Sequence, residues 1–250
     1  MLTEERRAKI VEIVNERKAV SVNDLVELLD TSAATIRRDI NALSKSRQIV
    51  KVFGGATAIS SLSVKTGEDA VRMKANKNVI EKGNIAKYAA SLIQDDDFVY
   101  IDAGTTTLSM IDYIDNHKAK FITNGVVHAK KLMDKGLETI MIGGRLKAST
   151  EAVVGPDCTE FIRKYHFSKA FMGTNGISLI AGFTTPDSDE AMIKKEAIKH
   201  TYMSYILADH TKFDQITSVT FADISDCCII TDHMVNKEYL NKTVIKTCND

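Results

Sequence analysis

Two groups of residues in this 250-residue chain have types and spacings suited to recognition chemistry. The first is Thr35-Ile36-Arg37-Arg38-Asp39-Ile40-Asn41-Ala42-Leu43-Ser44-Lys45. At helical spacing Ile36, Ile40 and Leu43 share one side, while Thr35, Arg37, Arg38, Asn41, Ser44 and Lys45 fall around the remainder. Arg can address guanine with paired hydrogen bonds, Asn can address adenine, and Thr, Ser and Lys suit phosphate oxygens. From Ala33 to Lys51 five residues are basic and one is acidic, although Lys+Arg and Asp+Glu both total 33 over the chain. A charged run is by default a wet helix face. Its context favours DNA instead: a capped helix and a short turn precede it, and a possible wing follows. Ser32, which starts the helix, joins this set. So does Lys51, which suits a flanking phosphate as readily as plain solvent.

The second group is a series of polar loops, each just after an apolar run. Asp102-Ala103-Gly104-Thr105-Thr106-Thr107 follows Phe98–Ile101, and Thr123-Asn124-Gly125 follows Phe121-Ile122. Gly143-Gly144-Arg145, Gly173-Thr174-Asn175-Gly176 and Asp209-His210-Thr211-Lys212-Phe213 follow three further runs. Glycine lets a ligand approach the backbone, threonine adds hydroxyl donors, and a following helix offers free N–H groups to an anion. One such turn is ordinarily only a turn. Five placed alike suit one small, polyhydroxylated, anionic ligand. None is a Walker A loop or a full GxGxxG, which disfavours a nucleotide.

These residues need elements to position them. The pattern predicts helices over 3–17, after Ser21 with Asp24 as a capping-box partner, and over 33–45. Leu25, Leu28 and Leu29 would form the buried side of the second helix. Residues 49–53 alternate like a strand, Gly54-Gly55 turns, and 56–59 return. That order is a winged helix-turn-helix over residues 1–58. Residues 59–76 are polar and read as a linker. From 77 to 250 apolar runs at 98–101, 119–122, 139–142, 170–172, 205–208 and 227–230 alternate with helical patterns. This predicts an α/β domain with a mostly parallel sheet covered on both faces and a ligand at the carboxyl ends of its strands.

The composition, 44% hydrophobic and 26% charged, is that of a globular protein. No apolar run approaches the roughly 18 residues of a membrane span, and the charged start has no apolar stretch behind it. The cysteines Cys158, Cys227, Cys228 and Cys248 lack CxxC spacing and read as reduced thiols of a cytoplasmic protein. The six histidines lack ligand spacing, so no metal site and no cofactor are expected.

The segment from Ser32 to Asp39, followed by Gly54-Gly55-Ala56, resembles the signature of DeoR-type bacterial transcriptional repressors. The resemblance extends over the whole chain. It departs at Ser46-Arg47-Gln48, where a Glu-Gly-type turn is usual, and at Phe53, where His is usual; both bear on the wing. It implies a sensor domain similar in fold to ribose-5-phosphate isomerase and glucosamine-6-phosphate deaminase, with a phosphosugar ligand. Gly104 to Thr107 would hold its phosphate. Asp102, Asn124, Asn175 and Glu190 would meet hydroxyls, and Gly125, Gly143, Gly144, Arg145 and Gly173 would complete the loops. Lys212 would neutralise the phosphate or pair with Asp209. Lys194 either shares the mouth with Glu190 or forms an ordinary i,i+4 surface pair with it. The segment Gly182-Phe183-Thr184-Thr185-Pro186-Asp187 through Glu190-Ala191 resembles repressors of fructose or related operons, which makes fructose 1-phosphate the first candidate. The implied partners are double-stranded operator DNA and a second copy, as homodimer or homotetramer. Two readings stand beside this one. One is a sugar-phosphate isomerase or deaminase with an appended helical module, Asp102 and Glu190 serving as acid and base. The other is an adaptor whose winged helix contacts protein.

Overall fold

The computed structural model describes residues 2–46, 48–58, 64–65, 74–233 and 236–248. The chain divides into two compact units, Met1–Ser61 and Leu62–Asp250. Most of the expected linker lies outside the described residues, as does Arg47.

The first unit runs α1 (Thr3–Arg17), β1 (Ala19–Ser21), α2 (Val22–Leu29), α3 (Ala33–Lys45), β2 (Ile49–Val52) and β3 (Gly55–Ala58). Ser21 caps α2 through Asp24 N, and Asp24 answers on the Ser21 backbone N–H, so both halves of the capping box form. The Ser21 hydroxyl and backbone N–H both donate to the Asp24 carboxylate and pull it below its usual range. Ser32 caps α3 through Thr35 N at 3.3 Å. Between the two helices Asp30 takes a left-handed conformation, φ 44°, which ends α2 in a tight turn. Ile10, Val14, Leu25, Leu29, Ile36, Ile40, Leu43 and Ile49 form one core. Leu28 lies outside it, exposed, because at helical spacing it falls beyond the stripe set by Leu25 and Leu29. The sheet has three antiparallel strands in the order β1-β3-β2 rather than the two of the expected hairpin. Three-residue β1 is too short to show a period. It is bound tightly all the same: a Cβ on Gly55 would stand 2.3 Å from Val20 O.

The second unit contains β4 (Val64–Lys65), α4 (Val79–Ser91), β5 (Phe98–Ile101), α5 (Thr105–Met110), β6 (Lys120–Thr123), α6 (Val126–Asp134) and β7 (Glu138–Met141). It continues with β8 (Arg145–Lys147), β9 (Ala152–Val154), α7 (Pro156–Ile162), β10 (Phe167–Gly173), β11 (Gly176–Ser178), β12 (Gly182–Thr185) and α8 (Ser188–Lys199). It ends with β13 (Thr201–Leu207), β14 (Ile216–Thr217), β15 (Val219–Ala222), β16 (Cys228–Thr231) and β17 (Ile245–Thr247).

Seven strands form one sheet, order β17-β16-β13-β10-β5-β6-β7, and every pair is parallel. Its strands read as unbroken apolar runs because both faces are covered. Tyr100, Ile122, Met172, Ile206 and Ile229 enter one core, with Cys158 and Ile162 of α7 and Ala191, Ile193 and Ala197 of α8. Their alternate neighbours Val99, Ile101, Phe121, Phe171, Leu207 and Ile230 enter the other, with Ile85 and Ala89 of α4, Met110 of α5 and Leu132 of α6. Short antiparallel pieces that the sequence reading missed are added outside this sheet: β11-β12-β15 and the hairpin β8-β9. The chain steps outward from β5 to β6 and β7, then returns to β10 on the other side of β5. The strand order therefore reverses between β5 and β10, where open α/β sheets place a ligand crevice beyond the carboxyl ends.

Candidate nucleic-acid interface and ligand cavity

Helix α3 sorts its charges by solvent access. Asp39, its only acid, is buried and receives Arg6 Nε at 2.7 Å and Arg7 Nε at 2.9 Å from α1. This pair of contacts ties the two helices together and removes the negative charge from the outer face. Arg37, Arg38, Asn41 and Lys45 are exposed, and Thr35 is half-exposed. Ser32 spends its hydroxyl on the cap and on Thr35 Oγ1 at 2.9 Å. Lys51 is exposed on β2.

At the switch point of the second unit lies a cavity of about 400 Å³. Eight of the expected site residues line it: Asp102, Gly104, Thr105, Thr106, Gly173, Asn175, Glu190 and Lys212. Asp102 is buried at the end of β5, where its Oδ2 accepts Gly173 N at 3.1 Å and ion-pairs with Lys194 Nζ. Lys194 is itself buried, donates to Gly173 O at 3.0 Å and lies over the Phe221 ring. The i,i+4 pairing of Lys194 with Glu190 does not form. Lys194 instead binds β5 to β10 from α8. Glu190 accepts Lys147 Nζ at 3.0 Å and Thr150 Oγ1 at 2.9 Å. Asp187 caps α8 through Glu190 N at 2.9 Å and also pairs with Lys147.

The Gly104 turn is held from behind. Thr107 is fully buried, with its hydroxyl 2.6 Å from Asp102 O and 2.8 Å from Gly104 O. His128 Nε2 reaches Gly104 O at 2.9 Å. Burial pushes the His128 ring down to about 4, against the raising effects of Gly104 O and Asp102, so the ring is neutral near pH 7. A carbonyl only accepts, so Nε2 carries the proton. Gly125 makes room for this ring, since a Cβ there would stand 2.4 Å from His128 Nδ1.

Thr107, Asn124 and Gly125 thus brace the cavity rather than line it. Asn124 Oδ1 accepts Tyr100 OH and Ala103 N, both at 3.1 Å, and its Nδ2 donates to Val153 O at 3.2 Å. Gly143, Gly144 and Arg145 are exposed and outside the cavity lining, and Arg145 pairs with Asp189 on the surface. The strand that leads into them, β7, is the outer strand of the sheet, two strands from β5, which places its end roughly 10 Å from the crevice.

The sequence reading missed the cavity's most cationic wall. Lys74, Lys77, Asn78 and Lys82, at and before the start of α4, line it with Asp209 and Lys212. Lys82 is buried and donates to Lys74 O. Desolvation lowers its pKa first, Asp209 opposes, and Lys212, Lys74 and Lys77 lower it further by repulsion. Four ammonium groups therefore converge at this end. Asp209 Oδ1 accepts Asn78 Nδ2 and Thr211 N, each at 3.0 Å. Nothing in the spacing of these lysines marks them, because they fall in a polar stretch without a period. One further cluster unites distant residues: Asp232 Oδ2 receives His210 Nδ1 at 2.6 Å and His233 Nδ1 at 2.9 Å, a group whose donor types could also hold a metal ion. Burial raises the Asp232 carboxyl, and the hydrogen bonds from His210 outweigh it, leaving a net lowering.

Comparison with known proteins places both units. Residues 6–62 match the DeoR-like helix-turn-helix domain, and residues 77–233 match the DeoR C terminal sensor domain. The chain is 40% identical over 250 residues to the uncharacterized HTH-type transcriptional regulator FruR of Bacillus subtilis (strain 168), covering 98% of each. It is 32% identical over 225 residues to the lactose phosphotransferase system repressor of Staphylococcus aureus (strain NCTC 8325 / PS 47), covering 89% of this chain and 88% of that one. Among solved structures it aligns with ribose 5-phosphate isomerase A from Methanocaldococcus jannaschii over 55% of each chain, at 14% identity and a TM-score of 0.41.

Proposed function

The chain belongs to the DeoR family of transcriptional regulators, and from that premise we propose that it represses a sugar-metabolism operon and releases its operator when a phosphosugar fills the cavity. In this reading residues 1–58 bind double-stranded DNA, 59–76 connect, and 77–250 sense. Arg37, Arg38 and Asn41 meet base edges, Lys45 and Lys51 meet phosphates, and Ser32 and Thr35 set the start of the helix. Two half-sites require two copies, so the working form is a homodimer or homotetramer in the cytoplasm.

The observation that carries the ligand assignment is the division of charge within the cavity. Lys74, Lys77, Lys82 and Lys212 gather at one end around the single acid Asp209, and Asp102, Thr150, Asn175 and Glu190 gather toward α8, where Lys194 and Lys147 balance the two carboxylates. A phosphate suits the first end and sugar hydroxyls the second, with Gly104, Thr105 and Thr106 between. Fructose 1-phosphate is the first candidate. The name of the lactose phosphotransferase system repressor supports the carbohydrate class. The isomerase alternative would require Asp102 and Glu190 free to exchange protons, but Asp102 is held by Lys194 and Gly173 N and Glu190 by Lys147 and Thr150.

The test is thermal unfolding with fructose 1-phosphate, fructose 6-phosphate, glucose 6-phosphate and inorganic phosphate, alongside mobility shift on selected duplex. Fructose 1-phosphate should raise the melting temperature and release the duplex. Lys212→Ala should still bind DNA but need about 10–100 times more ligand, the loss of one charge-assisted contact. If no phosphosugar stabilises the chain, the ligand class is wrong.

A further inference from the structure

The wing of the first unit ends in an aromatic ring for which that unit supplies no packing. Phe53, at the turn between β2 and β3, has a relative exposure of 108%. Val50 and Val52, which alternate onto one face of β2, are 45% and 41% exposed. The core is complete without them, since Ile49 closes it against α3. The support beneath the ring is stiff. Gly54 adopts φ +79°, and its carbonyl accepts Val22 N at 2.8 Å, which pins the turn to the start of α2. Gly55 is pressed against the Val20 carbonyl, and β3 is hydrogen-bonded on both edges. The ring is therefore held outward by the fold.

The sequence that carries this patch is basic: residues 41–58 contain Lys45, Arg47 and Lys51 and no Asp or Glu. The acid nearest the tip, Asp24 at the start of α2, is engaged by the Ser21 hydroxyl and backbone N–H in the cap. Lys51 lies between the two exposed valines in sequence, and Asp39, the nearest preceding acid, is buried. A partner that complements an apolar tip among cations must be polyanionic outside and apolar within. Duplex DNA has that structure: phosphates flank the grooves, and stacked bases line them.

Resting on the DNA-binding assignment of α3, we propose that Phe53 is a wedge. It enters the minor groove beside the half-site, partly unstacks one base step and bends the duplex there. Apolar side chains driven between base steps from the minor groove act in this way, and flexible pyrimidine–purine steps yield most readily. The wing would then add a preference at positions that α3 does not touch.

The full chain is used to select its duplex from a randomised 30-base-pair library, and 2-aminopurine is placed at each flanking step in turn. The wild type should brighten the probe at one step, and circular-permutation mobility should report a bend. Phe53→Ala should lose both signals and about tenfold in affinity, while Phe53→Leu keeps an apolar tip and most of each signal. Unchanged brightness, bend and affinity in Phe53→Ala, with Arg37→Ala still defective, would overturn the wedge alone. Unchanged affinity in both variants would overturn the assignment of α3 on which it rests. A change in the sedimentation of free Phe53→Ala would make the tip a contact between copies and likewise overturn it.

Discussion

The two units handle cationic side chains in opposite ways. On α3 the acid is buried against α1 while Arg37, Arg38 and Lys45 stand in water. In the second unit Lys82 and Lys194 are buried with carbonyl or carboxylate partners around a cavity. A surface that meets a long polyanion works by leaving its charges hydrated, mobile and sensitive to salt. A cavity that meets one small anion needs charges already desolvated and fixed, at a cost met by the fold. Substitutions in the first unit should therefore change binding and spare stability, and substitutions in the second should change both.

The largest expected effect breaks the second half of that contrast. Lys194→Met leaves Asp102 buried without its cation and should lower stability by about 3–5 kcal/mol, read by denaturant unfolding. Adding Asp102→Asn should restore most of the loss, and failure to restore would mean that the pair is not the linchpin of the switch point.

The next effect concerns pH. His128 titrates near 4 when folded and near 6.5 when unfolded, so between those values the unfolded chain binds more protons. Stability should therefore fall as pH drops from about 6.5 towards 4, by up to about 3 kcal/mol from this group. His128→Asn should flatten that slope in a melting series from pH 4 to 8, and an unaltered slope would assign it to other groups.

Arg37→Ala tests the first half. It should cost about 1–3 kcal/mol in binding to the selected duplex, seen by mobility shift, with the melting temperature unchanged. A drop in melting temperature of several degrees would show α3's outer face to be structural.

The smallest effect sharpens the boundary of the cavity. Arg145→Ala removes only an exposed pair with Asp189 and should alter stability and ligand affinity by less than about 0.5 kcal/mol. A tenfold loss of phosphosugar affinity would return the Gly143-Gly144-Arg145 loop to the site.

Legibility in the sequence followed the length and periodicity of each element. The limits expected for α1 and α3 agree with the structure because an apolar stripe marks each and the Ser32 cap marks the start of α3. The central-sheet strands β5, β6, β7, β10, β13 and β16 are visible as apolar runs. In contrast, β1, β11 and β17, at three residues each, carry no period to read. Within the site, the loops at Asp102, Gly173 and Asp209 are legible because each follows an apolar run, and the three runs become the adjacent strands β5, β10 and β13. Asn124 has the right chemistry at the right strand end, but its amide is turned inward to Tyr100 and Val153. Lys194 was misjudged for a different reason. Sequence spacing offers Glu190 as its neighbour, and only the packing of α8 across the sheet presents Asp102 instead.

One strand of two residues has a consequence out of proportion to its length. β4 belongs to the stretch of chain that follows the first unit, and it is laid in register along β14, whose Thr217 forms part of the cavity wall. Lys74 and Lys77 come next on the same thread. The sensor domain's cavity wall is thus joined, through backbone hydrogen bonds at Val64–Lys65, to chain that lies within four residues of the end of the first unit.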